Sequence, residues 1–220
     1  MCPTYYNIMQ EQKSDFQSVT KILDNKLGDD VHFVWALSKD FGSSGFRVGI
    51  LYTHNNKILS AFGNINMFSS VSHPMQAIVA ELLSNDSYVD HFLDKSRKLL
   101  RASYDIVTKA LDEIRIPYVS AVSGIFVYCD FSSVLPENTF QGENQLATLF
   151  EEYARIVMTP GGSQKDMKPG YFRICYAFVS KEVLMIGMSR LQMICKILQK
   201  NGWSDILKNN NVGEVDILDL

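Results

Sequence analysis

Lys39 ends the apolar run Val31–Ser38 and opens a glycine-bearing loop, and Arg47 follows eight positions later. A lysine at the end of an apolar strand is expected to be partly desolvated, which favours its neutral amine. That amine is the form that attacks an aldehyde to give a Schiff base. An arginine returning beside it supplies a fixed cation with a planar donor fork, which suits a phosphate group. Gly42 and Gly45 allow the tight backbone path between them. Taken singly, each residue also fits a blander role, a lysine that closes a strand and an arginine that flanks a loop. A third candidate is Arg173, which lies in the apolar run Tyr171–Phe178. A cation there is costly unless something pairs with it. The nearest preceding acid, Asp166, is separated from the run by Pro169 and Gly170. An arginine left without an internal acid can receive the carboxylate of a ligand, and a structural salt bridge to a distant acid is the alternative.

Other chemistries find no support. His32, His54, His73 and His91 are isolated, without the spacing of metal ligands, so no metal is expected. Neither a GxSxG elbow nor a P-loop is present. Lys and Arg total 21 against 24 Asp and Glu, a net charge of -3 that gives nucleic acid no electrostatic foothold. With 46% hydrophobic and 20% charged residues the chain can bury a core, which excludes a disordered or collagen-like protein. No apolar run approaches the roughly 18 residues of a membrane span. Cys2, Cys129, Cys175 and Cys195 form no CxxC pair and read as reduced core thiols of a cytoplasmic protein.

The elements that must position these residues follow from periodicity. A helix is expected over Asp15–Leu27, stopped at Gly28, then a strand buried on both faces at Val31–Ser38 and a second strand at Phe46–Thr53. Asn55 caps a helix beginning at Asn56, and Pro74 opens another through Leu83. Tyr88–Ile114 reads as one long amphipathic helix, a rigid seam able to serve two subdomains. Strand, helix, strand and closing helix then follow at Gly124–Phe131, Asn144–Ala154, Tyr171–Phe178 and Lys181–Gln199. The tail from Asn201 is expected to fray. The alternation is that of an α/β or α+β protein.

The segment Trp35–Gly49, WALSKDFGSSGFRVG, closely resembles the cofactor-lysine motif of class I/II pyridoxal-phosphate aminotransferases. Within that family it is most similar to 1-aminocyclopropane-1-carboxylate synthase-like proteins. The likeness continues in order through Ser69–Ser72 with Gln76, the run Arg97–Leu111, the segment Ser123–Tyr128, and Pro169–Ala177, PGYFRICYA. The resemblance implies the C-terminal part of the fold type I large domain in residues 1–90 and the α+β small domain in 91–220. It implies pyridoxal 5'-phosphate as cofactor, with Lys39 forming the internal aldimine and then carrying the Cα proton. Arg47 and Ser38 would hold the cofactor phosphate, with a contribution from the serines near Ser70 across a dimer interface. Arg173 would bind the α-carboxylate of an amino-acid substrate, and the complete protein would be a homodimer.

Two departures accompany the likeness. Ala36 stands where the family commonly has a phosphate-binding serine. The family also draws an aromatic ring, an asparagine and the aspartate of a D-E-x-Y motif from a segment well before its lysine. Residues 1–38 contain no such motif. The aspartate pairs with the pyridine nitrogen, and without it the cofactor is a poor electron sink. The expectation is therefore the C-terminal half of such an enzyme, and its alternative a truncated, non-catalytic paralogue that keeps the fold for dimerisation or binding. An isolated large-domain half is also expected to expose strand edges and self-associate.

Overall fold

A computed structural model describes residues 17–121 and 123–203. The chain divides into two compact units, residues 1–98 with 122–124 and residues 99–121 with 125–220.

Among the described residues the first unit begins with a short helix, α1 (Val19–Ile22), capped by the Ser18 side chain on the Thr20 amide. Asp15 and Phe16, at the front of the expected helix, lie outside the described residues. Strand β1 (His32–Ala36) pairs antiparallel with β2 (Gly49–Thr53), in a register running from His32 opposite Thr53 to Ala36 opposite Gly49. Both strands are shorter than their apolar runs, because Leu37–Asp40 turns into a helical turn, α2, and Ser44–Phe46 into a 3-10 turn. The expectation of a strand buried on both faces is not met, since Val34 is 74% exposed. Helices α3 (Asn56–Asn66) and α4 (His73–Ser84) follow, the first capped by the Asn55 carboxamide on the Lys57 and Ile58 amides. Pro74 occupies the first turn of α4, where its missing N–H costs nothing. Leu27, Leu37 and Val79 are the buried apolar side chains among this unit's described residues.

The long helix α5 (Asp86–Glu113) contributes residues to both units, with the division between Lys98 and Leu99. The second unit holds a four-stranded antiparallel sheet. Its strands are β3 (Tyr118–Val119), β4 (Phe126–Asp130), β5 (Thr159–Pro160) and β6 (Tyr171–Cys175), in the order β3-β4-β6-β5. The side-chain period of two separates its faces. Val127, Cys129, Phe172 and Ile174 point into the core, where Phe131, Phe150 and Phe172 meet edge to face at 5.4–6.0 Å. Such ring pairs each add about 0.5–1.5 kcal/mol beyond their burial. Helix α6 (Phe140–Leu149) runs into a π turn at Phe150–Ala154, beginning earlier than expected because Thr139 caps it on the Gly142 amide.

Helix α7 (Lys181–Asn201) buries Leu184, Met188, Leu191, Ile194, Cys195 and Leu198 along one stripe. Gln192 and Gln199 donate to the backbone carbonyls of Ala110 and Ile114 at 3.1 and 2.8 Å, tying α7 to the end of α5. Residues 204–220, most of the tail expected to fray, lie outside the described residues. Among the described residues no helix is long and apolar enough to cross a membrane.

Candidate functional site

The Lys39 segment is a closed loop. Ala36 pairs with Gly49, and the Leu37 amide donates to the Val48 carbonyl at 3.2 Å, so residues 37–48 leave and re-enter the sheet at one point. Lys39 lies just beyond one end of that closure and Arg47 just before the other. The expected adjacency of the two strands is thus present. The side chain of Lys39 is exposed, however, where partial desolvation was expected. The reason is local. In the turn α2, Leu37 and Asp40 are the buried pair, at 1% and 4% exposure, and three-residue spacing places them on one side. The Trp35 indole fastens that side by donating to the Asp40 carboxylate at 2.5 Å. Ser38 is left half-buried and Lys39 outward.

Arg47 does not begin a strand. It ends the 3-10 turn in the left-handed region, at φ 54°, with Nη1 donating to the Ser44 carbonyl at 3.2 Å. A residue with a Cβ adopts that conformation at a cost of about 1–2 kcal/mol. Phe41 stacks on Phe92 of α5 at 5.3 Å and so ties the loop to the part of α5 in the first unit. Ser69 and Ser70 are exposed between α3 and α4, and the Gln76 side-chain carboxamide donates to the Val71 carbonyl at 2.8 Å.

Arg173 belongs to the second unit. It sits mid-strand in β6, opposite Tyr128 of β4 and Thr159 of β5, on the sheet face that also carries Phe126, Asp130, Tyr171 and Cys175. Its guanidinium carbon lies 4.3 Å from the Phe126 ring centre, and Nη2 donates to the Thr159 hydroxyl at 3.3 Å. The Nε–H is buried and has no hydrogen-bond partner. Among the described residues no carboxylate pairs with Arg173. Asp166 is committed elsewhere, accepting from the Tyr128 hydroxyl and the Lys168 amide. The Tyr128 hydrogen bond leads in holding the Asp166 carboxyl below its ordinary range, and desolvation leads in pushing the Tyr128 phenol up.

Thr159 and Phe126, the two contacts that orient Arg173, were not legible as site residues. Phe126 lay in the family-like segment Ser123–Tyr128 and in a strand pattern, neither of which set it beside Arg173, and β5 is too short to show periodicity. The thiols divide as well. Cys129 and Cys195 are buried, each pushed up to about 12 by desolvation, whereas Cys175 is exposed rather than in the core. Cys2 lies outside the described residues.

Comparison with known proteins adds the family. Residues 4–191 match the model of aminotransferase class I and II. The chain is 31% identical to tomato (Solanum lycopersicum) 1-aminocyclopropane-1-carboxylate synthase 4, over all of this chain and 47% of that protein. It is also 31% identical to the Arabidopsis thaliana 1-aminocyclopropane-1-carboxylate synthase-like protein 1, over 87% of this chain and 40% of the relative. The chain thus spans about half or less of the length of these relatives. Among solved structures, the Pyrococcus horikoshii aromatic aminotransferase superposes with a TM-score of 0.74 at 22% identity, over 87% of this chain and 49% of that one. Thermus thermophilus aspartate aminotransferase with maleate gives 0.71 at 20% identity, over 87% and 46%. The fold is that of fold type I aminotransferases. Enzymes of this kind depend on pyridoxal phosphate. The residue types of 38–47 suit such a group chemically, with an exposed lysine for an aldehyde and a serine and an arginine as donors to a phosphate. By its family match across most of its length and its likeness to these synthases, the chain belongs to the class I and II aminotransferases.

Proposed function

We propose that this chain carries the cofactor-lysine and carboxylate-binding parts of a pyridoxal-phosphate enzyme acting on amino acids, of the aminotransferase or 1-aminocyclopropane-1-carboxylate synthase-like kind. Residues 1–90 are the partial large domain and 91–220 the small domain. Lys39 is the cofactor lysine, and its amine moves the proton at the substrate Cα. Arg47 and Ser38 hold the cofactor phosphate, and Arg173 holds the substrate α-carboxylate. When bound, the cofactor supplies an electron sink for the bond broken at Cα. The complete protein is a homodimer in the cytoplasm, a compartment that suits the unpaired thiols Cys129 and Cys195.

The observation that carries this reading is Arg173. Its guanidinium is half-buried, its buried Nε–H has no hydrogen-bond partner and, among the described residues, no acid pairs with it, which leaves it donors for an incoming carboxylate. Its planar fork can take both carboxylate oxygens, which a lysine ammonium cannot reproduce. The test is a spectral titration of the cofactor-loaded protein with amino acids, in wild type and in Arg173→Lys. The variant should bind roughly 2–4 kcal/mol more weakly, the scale of losing a charge-assisted pair. Its cofactor absorbance before substrate should be unchanged. Equal amino-acid affinity in the two proteins would remove Arg173 from the site.

A further inference from the structure

Glu143 is a carboxylate at 1% exposure, inside the apolar stripe that α6 buries through Leu146 and Leu149. Burying such a charge costs several kcal/mol unless hydrogen bonds replace its water. Both oxygens are used, and by different loops. Oε1 accepts from the Gly162 amide at 2.9 Å and Oε2 from the Gly170 amide at 2.7 Å. Gly162 opens the turn after β5, and Gly170 immediately precedes β6. The Gly161 amide adds a bond to the Tyr171 carbonyl at 2.7 Å. The carboxylate therefore fastens the far end of β5 to the near end of β6. The same two strands bring Thr159 opposite Arg173, where the threonine hydroxyl receives Nη2.

We infer that Glu143 is a positioning residue for Arg173, acting through Gly162, Gly170 and Thr159 to hold the guanidinium in one orientation before a carboxylate arrives. A preset fork loses less freedom on binding than a mobile one. The use of that orientation rests on the carboxylate-binding reading of Arg173. The orientation itself can be tested without a ligand. Glu143→Gln keeps the shape but turns an amide N–H toward one of the two backbone donors, so one of the straps is lost.

The test uses the full chain, isotope-labelled for magnetic resonance of arginine side chains, with the Arg173 Nε–H signal identified by its loss in Arg173→Lys. In Glu143→Gln that Nε–H should exchange with solvent about tenfold faster, while the amides of Val127 and Ile174 stay within about twofold of wild type. Thr159→Val, which removes the last link and leaves the buried carboxylate in place, should speed Nε–H exchange in the same way. Unchanged Nε–H exchange in a folded Glu143→Gln protein overturns the inference. Unchanged exchange in Thr159→Val overturns it also, and that arm stands if Glu143→Gln fails to fold. A separate titration with L-alanine follows the same signal. A wild-type Arg173 signal that ignores alanine contradicts the carboxylate-binding reading, whereas the exchange arms decide the positioning role.

Discussion

Arg173 and Tyr128 face each other across the β4–β6 pair, yet the acid at that place serves the tyrosine and not the arginine. Asp166 closes on the Tyr128 hydroxyl, and Tyr128 stacks on Tyr171 at a 5.4 Å ring separation. The cation beside them is held by a ring face and a threonine hydroxyl, both neutral.

The first prediction follows from that division. Breaking a buried ion pair by removing one member costs about 3–5 kcal/mol. Arg173 has no such partner among the described residues, so Arg173→Leu should change stability by no more than about 1 kcal/mol in either direction. Denaturant unfolding of the two proteins measures it. A loss on the ion-pair scale would reveal an acid bound to Arg173.

Asp166 gives a pH dependence with a definite sign. Its folded-state carboxyl is held below the ordinary 3.8 by the Tyr128 hydroxyl first and the Lys168 amide next. A depressed carboxyl contributes stability that is present above the unfolded value and lost as pH falls through the folded one. The melting-temperature difference between wild type and Asp166→Asn should therefore be constant around neutrality and shrink on the acid side of 3.8. A difference that does not change with acid would show that the tyrosine bond does not depend on the charge.

Two glycines should respond oppositely to alanine. Gly170 has φ +97°, and an added Cβ would lie 2.8 Å from the Ser132 Cα, so Gly170→Ala should cost about 2 kcal/mol or more. Gly187 lies within α7 with nothing within 4 Å of an added Cβ, so Gly187→Ala should gain roughly 0.5–1 kcal/mol. Thermal unfolding of both variants checks the pair. A Gly170→Ala protein as stable as wild type would contradict the close approach of the two backbones.

The legible parts of this fold were those with sustained periodicity. α5 and α7 carry several turns of apolar spacing, and β4 and β6 alternate cleanly between buried and outward residues. The two-residue strands β3 and β5 offered no period to read, and so the placement of Thr159 beside Arg173 was hidden. Val31–Ser38 was over-extended because its apolar content looked like a strand enclosed on both sides. The structure turns the chain at Leu37 to bury Leu37 and Asp40 together. Lys39 was singled out by its motif, whereas its exposure depends on which neighbours in that turn go inward. Glu143 was not legible, because it lies one residue before the expected helix Asn144–Ala154 and joins the buried stripe only where the Thr139 cap starts that helix earlier.

The first unit exposes apolar side chains on its two-stranded sheet, with Val34 at 74%, Ile50 at 48% and Tyr52 at 41%. Among the described residues each strand also has an edge unpaired within that sheet, a template for another strand. Size-exclusion chromatography should show concentration-dependent self-association, and Val34→Lys should shift elution toward a single chain. A monomer at every concentration would contradict this reading.

If Lys39 is the lysine that holds the cofactor, it should be labelled by it ahead of other lysines. Incubation of the full chain with pyridoxal phosphate, borohydride reduction and peptide mapping measure this. The expected result is a stable pyridoxyl group on Lys39, well above the labelling of exposed lysines such as Lys26 and Lys98, and reduced in Arg47→Met. Labelling of Lys39 no greater than that of those surface lysines would contradict the account.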